Sequence, residues 1–212
     1  MKNILLFFLT FSVATISFSQ GKERVLNDSA MAMYKMDAKK AIQLLENVLK
    51  DATSAKNLQI ISLTKNNLGI VYRDLGKFEK AKSLSSEALL KTKDSIVKAS
   101  AYNNIGAANR SLGLYDEALK NYLSALKIYE ALDMKEYQAT VHNNIGMVYN
   151  YLGINNKAIE YHLKAKNVFE ATDNKKGISE TFNNIAIIHA NEGELDKALQ
   201  YFKYSLAIEE EL

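Results

Sequence analysis

Cysteine and proline are absent from the 212 residues, and glycine occurs only nine times. Without cysteine there is no disulfide framework, so packing must hold the fold together. Without proline nothing stops a helix outright, and so few glycines leave few places for a break. An excess of one charge is missing too. Against 24 acidic residues stand 27 basic ones, and Lys2 is the only charge in the first nineteen positions. That balance gives no electrostatic footing for nucleic acid, which is not expected as a partner.

What is present divides the chain unevenly. Residues 1–19 carry an apolar run from Ile4 to Phe11, diluted by Ser, Thr and Ala towards Ser17-Phe18-Ser19. The run is too short to span a bilayer comfortably and ends in a small-x-small pattern, which predicts a signal peptide cleaved near Ser19/Gln20. No cysteine follows, so a lipid anchor is not expected. The expectation is export across the inner membrane to the periplasm or medium, with no stable membrane insertion after cleavage.

The remaining residues, 20–212, repeat. Asn-Asn pairs open matching segments at Asn66, Asn103, Asn143 and Asn183, with spacings of 37, 40 and 40 residues. Ala41 stands 40 residues before Ala81 and marks a weaker first copy. Five units follow, at about 22–61, 62–98, 99–138, 139–178 and 179–212. Within the fourth, Ile145, Val148, Tyr149 and Leu152 fall at i, i+3, i+4 and i+7, one helical stripe. Gly153 then suits a helix end. A second stripe runs through Ala158, His162, Ala165 and Phe169, and the third unit repeats it with Ala118, Tyr122, Ala125 and Tyr129. Small groups such as Gly106 and Gly146 let paired helices approach while rings fill the space beside them. One hairpin cannot bury both faces, so neighbours must stack. This is an all-α helical-hairpin solenoid.

The Leu-Gly or Ile-Gly pair, the Tyr three residues later, the second Gly and the Ala…Ala pair seven apart resemble the tetratricopeptide repeat family. The resemblance covers nearly all of 20–212 and implies a right-handed superhelix of about five repeats. The period near 40 and the missing closing proline are similar to the longer variety in cell-polarity adaptors and bacterial sensory proteins. Asn109 and His189 stand where Tyr is usual, and Ala186 where Gly is usual.

The resemblance also implies a binding groove along the first helices, where asparagine holds the main chain of an extended peptide. By position that implies Asn67, Asn104, Asn144 and Asn184 as a ladder, with Asn66, Asn103, Asn143 and Asn183 beside them. An amide side chain offers a donor and an acceptor, which matches a peptide unit. The alternative is that one asparagine of each pair braces the turn between repeats. Four rungs at ~1 kcal/mol each supply only millimolar affinity. Further anchors are therefore expected on the same helices: Arg73, Arg110, Met147 and Tyr151, with Ile187 nearby. The partner implied is a protein or extended peptide.

No enzyme is expected, and no catalytic residue, cofactor or metal site. His142, His162 and His189 lie in different helices, with no cysteine and no acidic pair at ligand spacing. His162 holds the stripe position of Tyr122 and reads as core. The final "AIEEEL" follows a second helix directly, leaving Phe202, Leu206 and Ile208 without a neighbour. That edge suggests self-association or a shortened relative of a longer protein. The leading expectation is an exported scaffold, and the alternative is the input half of a bacterial signalling protein without its kinase or DNA-binding output.

Overall fold

The computed structural model describes residues 21–211. The expected signal segment 1–19 and its cleavage point lie outside them. Among the described residues there are ten helices and no strand. They are α1 (residues 21–33), α2 (Ala38–Ser54), α3 (Leu58–Asp74), α4 (Phe78–Lys91), α5 (Ser95–Ser111), α6 (Tyr115–Ala131), α7 (Lys135–Tyr151), α8 (Asn155–Ala171), α9 (Lys175–Asn191) and α10 (Leu195–Glu209). The fold is all-α, a succession of antiparallel helix pairs. It forms two compact units that divide between Asn104 and Ile105, within α5.

Helix lengths account for the repeat spacing. From α5 to α9 every helix has 17 residues and every turn three, which yields the 40-residue period. The exception is α4, with 14 residues, and it accounts for the single 37-residue step. With no closing proline, the second helices run to Ala131 and Ala171.

Two kinds of turn alternate. Within a hairpin the chain turns on Gly76, Gly113, Gly153 or Gly193, all at positive φ. At the first of these, Gly76 N–H donates to Arg73 C=O and Lys77 N–H to Tyr72 C=O, a Schellman closure that needs a left-handed residue. Between hairpins the left-handed residue is Lys56, Asp133 or Asp173. Asn57, Asp94 and Asn174 then cap the next helix by accepting from backbone N–H groups of its first turn.

In the first unit the core joins α1 to α4. Ala30, Ala41, Leu45, Leu68, Val71, Tyr72 and Ala81 are buried together, and Val48, Ala52, Ile60 and Ile61 form a second cluster. A fully buried Leu or Val contributes about 2 kcal/mol. The second unit packs α7 against α8 and α9, with Ala139, Ala165 and Phe169 as one cluster.

Close approach inside the hairpins depends on the glycines expected to allow it. A Cβ at Gly106 would stand 2.9 Å from the Tyr122 ring, and one at Gly146 would stand 2.8 Å from His162. Both rings are fully buried. In the last hairpin Ala186 replaces that glycine, and Phe202 at the ring position is 39% exposed. Leu206 beside it is exposed as well.

Candidate functional site

Helices α3, α5, α7 and α9 carry the Asn-Asn pairs, and the two units hold theirs differently. In the first unit Asn66, Asn67 and Asn104 are buried. Asn104 Nδ2 donates to Asn66 Oδ1 at 3.0 Å, and Asn66 Nδ2 donates to Ser100 Oγ at 2.9 Å. Asn67 Nδ2 donates to Asn27 Oδ1 at 3.2 Å, while Asn27 Nδ2 donates to Thr64 Oγ1. Asn103 is half-buried.

In the second unit Asn143, Asn144 and Asn184 are half-buried, and Asn183 is exposed. Asn184 Nδ2 donates to Asn143 Oδ1 at 3.1 Å. One rule covers three of these contacts: the second asparagine of a pair donates to an asparagine one repeat earlier. This is why a mediocre helix former recurs there. The amide reaches across to the neighbouring first helix and ties the two together.

The expected anchors are partly engaged by the protein itself. Arg73 donates to Asn104 Oδ1 at 2.8 Å and to Asp74 Oδ1. Burial works against ionisation of Asp74, but hydrogen bonds from Lys35 and Arg73 outweigh it and hold the carboxyl below its usual range. Arg110 Nη1 lies 2.8 Å from Met147 Sδ, so two expected groove residues meet, and Arg110 Nε is buried without a partner. Tyr151 is 59% exposed, its ring stacked on Tyr115 at 5.7 Å with 7° between planes. Ile187 is exposed nearby.

Met147 and Asn184 are shared by two clefts between α7 and α9. One, of about 360 Å³, is lined by Met147, Asn150, Tyr151, His162, Asn184, Ile187 and Asn191. The other, of about 300 Å³, is lined by Thr140, Asn143, Asn144, Met147, Phe169, Glu180, Asn183 and Asn184. Sequence reasoning missed Asn27, Asn150, Thr140 and Glu180. Thr140 and Glu180 were findable, because they sit 40 residues apart at one register position of the repeat.

The histidines are placed by packing. His162 is fully buried under the larger cleft, and burial lowers its pKa from 6.5 to about 4. His142 is also lowered, by burial and by Lys164, and stands against the Tyr161 ring. His189 stacks on Tyr201, and its Nδ1 lies 2.7 Å from Glu194 Oε2 and 3.9 Å from Glu192 Oε2. This histidine with two carboxylates is a grouping the sequence reading did not expect. The carboxylates already have partners, Lys197 on Glu194 and Asn155 on Glu192.

No match was found among curated proteins. Solved structures resemble the chain in fold. The apo form of RapI aligns with a TM-score of 0.75 at 16% identity, covering 90% of this chain and 71% of its own. A kinesin light chain protein of Podosopora anserina with nearly identical TPR-like repeats aligns at 0.64 and 17%, covering 89% and 95%. MamA aligns at 0.56 and 26%, covering 84% and 91%. The profile of the tetratricopeptide repeat matches residues 60–131, 97–153 and 137–211. With the helix pairs, the glycine turns and the small-to-ring contacts, that match places the chain in the tetratricopeptide repeat family.

Proposed function

We propose that this chain is an exported scaffold that holds an extended segment of a partner protein on the first-helix face of residues 105–212. Tetratricopeptide repeats make it a protein-interaction scaffold. The single observation that supports the finer reading is the pair of adjoining clefts between α7 and α9, where amides and apolar groups are presented together. In the first unit Asn66, Asn67 and Asn104 are buried and bonded to asparagines of neighbouring helices, so the reading rests on Asn143, Asn144, Asn183 and Asn184.

Energetics give those asparagines a registering role. Each hydrogen bond contributes a net ~1 kcal/mol, and the Asn143 oxygen and Asn184 amine are already used between helices. Affinity must then come from apolar burial over Met147, Tyr151 and Ile187, at about 25 cal/mol per Å² removed from water. Export rests on the Ile4–Phe11 run and the small residues after it, with the mature chain beginning near Gln20.

A photo-reactive residue at Ile187 tests the binding face, with one at Leu163 on α8 as control. Cross-links in the cell-envelope fraction should form from position 187 and be lost with Asn144→Ala plus Asn184→Ala. Equal cross-linking from both positions would end the reading. Mass spectrometry of the protein's N-terminus in that fraction tests cleavage, with Gln20 expected.

A further inference from the structure

Resting on that groove reading, we infer that the bound segment carries a basic side chain and, two residues away, an apolar one. The two clefts adjoin at Met147 and Asn184 but differ in chemistry. The walls of the larger are Met147, Tyr151 and Ile187. His162 belongs to its lining, fully buried, with Nε2 lacking any partner. The ring carries its proton on Nδ1, which donates to Asn143 Oδ1 at 2.6 Å. Burial keeps the ring uncharged, so Nε2 is an acceptor without a partner, and no charged group lines the pocket around it. An aliphatic or aromatic side chain fits those walls, while Nε2 itself lies beneath α7 at Gly146.

The smaller cleft has four amides, Thr140, Met147 and Phe169 in its lining, and one acidic group, Glu180. That carboxylate is exposed and has no ion pair among the described residues. A cationic side chain complements it. Along α7 and α9 the linings are offset by about one and a half helical turns, ~8 Å at 1.5 Å per residue. An extended segment advances ~7 Å over two residues and points both side chains to the same side. Spacing and chemistry agree on one ligand. Arg110, across Met147 from these clefts, has the opposite preference.

The test is an array of heptapeptides Ser-Gly-X-Ser-Z-Gly-Ser and the reversed series, with X and Z each varied through all twenty residues, probed with the purified chain. Lys or Arg at X with Leu, Ile, Met or Phe at Z should exceed Glu at X by about two- to fivefold, the range of an exposed ion pair. Glu180→Lys should invert the preference at X and leave that at Z. Selection of acidic residues at X would assign recognition to Arg110 and overturn the inference while keeping the groove. A Lys preference that survives Glu180→Lys would overturn it too. Absence of binding at every spot would count against the groove reading itself.

Discussion

His162 Nδ1 lies 2.6 Å from Asn143 Oδ1, an oxygen that also accepts from Asn184 Nδ2 at 3.1 Å. Since that oxygen already accepts, the imidazole must donate from Nδ1, and burial keeps the ring neutral near pH 7. Three helices, α7, α8 and α9, are tied through one atom. The tie places a titratable group under the proposed binding face.

Stability should therefore depend on pH. The folded pKa of His162 is about 4 against 6.5 unfolded, so the folded state binds fewer protons between those values. Its contribution is complete above pH 6.5 and is lost as pH falls towards 4, a change of ~3 kcal/mol at 1.36 kcal/mol per unit. His142 acts in the same direction. The denaturant midpoint should drop between pH 7 and pH 4.5. His162→Tyr, which copies the packing of Tyr122 over Gly106, should flatten that slope. The same slope in both proteins would assign the effect elsewhere.

Gly146→Ala should cost ~1–3 kcal/mol, because the new methyl would sit 2.8 Å from His162 Cε1 and 3.0 Å from the Ala158 carbonyl. The carbonyl belongs to α8 backbone and cannot swing aside. Gly21→Ala, with nothing within 4 Å, is the control and should leave the thermal midpoint unchanged. Equal midpoints for both variants would mean that α7 and α8 separate at no cost.

Much of this was legible in sequence because the repeat is written in chemistry. Glycine at the turns, alanine at the close contacts and rings at the stripe positions recur with the period, and each has a local cause. The 37-residue step was visible, but its origin in a shortened α4 was not, since nothing in the residues fixes where α4 stops. The destination of the asparagine amides was also hidden. Asn104 meets Asn66 and Asn184 meets Asn143 only once neighbouring first helices lie side by side, and that register is set by tertiary packing. Asn27 escaped notice because the first repeat has no Asn-Asn pair, although its amide accepts from Asn67 as the others do.

Asn104→Ala should cost ~1–3 kcal/mol, since it leaves buried Asn66 Oδ1 without its donor and Arg73 Nη1 without its acceptor. Asn183→Ala, on an exposed side chain, should stay within about 0.5 kcal/mol. Urea titration of both separates bracing from binding. Asn183→Ala is free to weaken a ligand without loosening the fold, and Asn104→Ala is not.

The turns between hairpins offer the reverse change, a gain in stability. Lys56 is held at φ +55°, where a side chain is strained by ~1–2 kcal/mol. Lys56→Gly removes that strain but gives the unfolded chain more freedom, which offsets ~0.5–1 kcal/mol. The expected net is a gain of about 0.5 kcal/mol, read as a higher denaturant midpoint. Asp133, at φ +51°, should gain less from the same change, because a short polar side chain tolerates the left-handed region better than lysine does. Asn57 follows Lys56 and caps α3 by accepting from Ile60 N–H, so the helix start is untouched in the variant. A fall in midpoint for Lys56→Gly would mean that the lysine stem covers apolar surface at this turn and outweighs its own backbone strain.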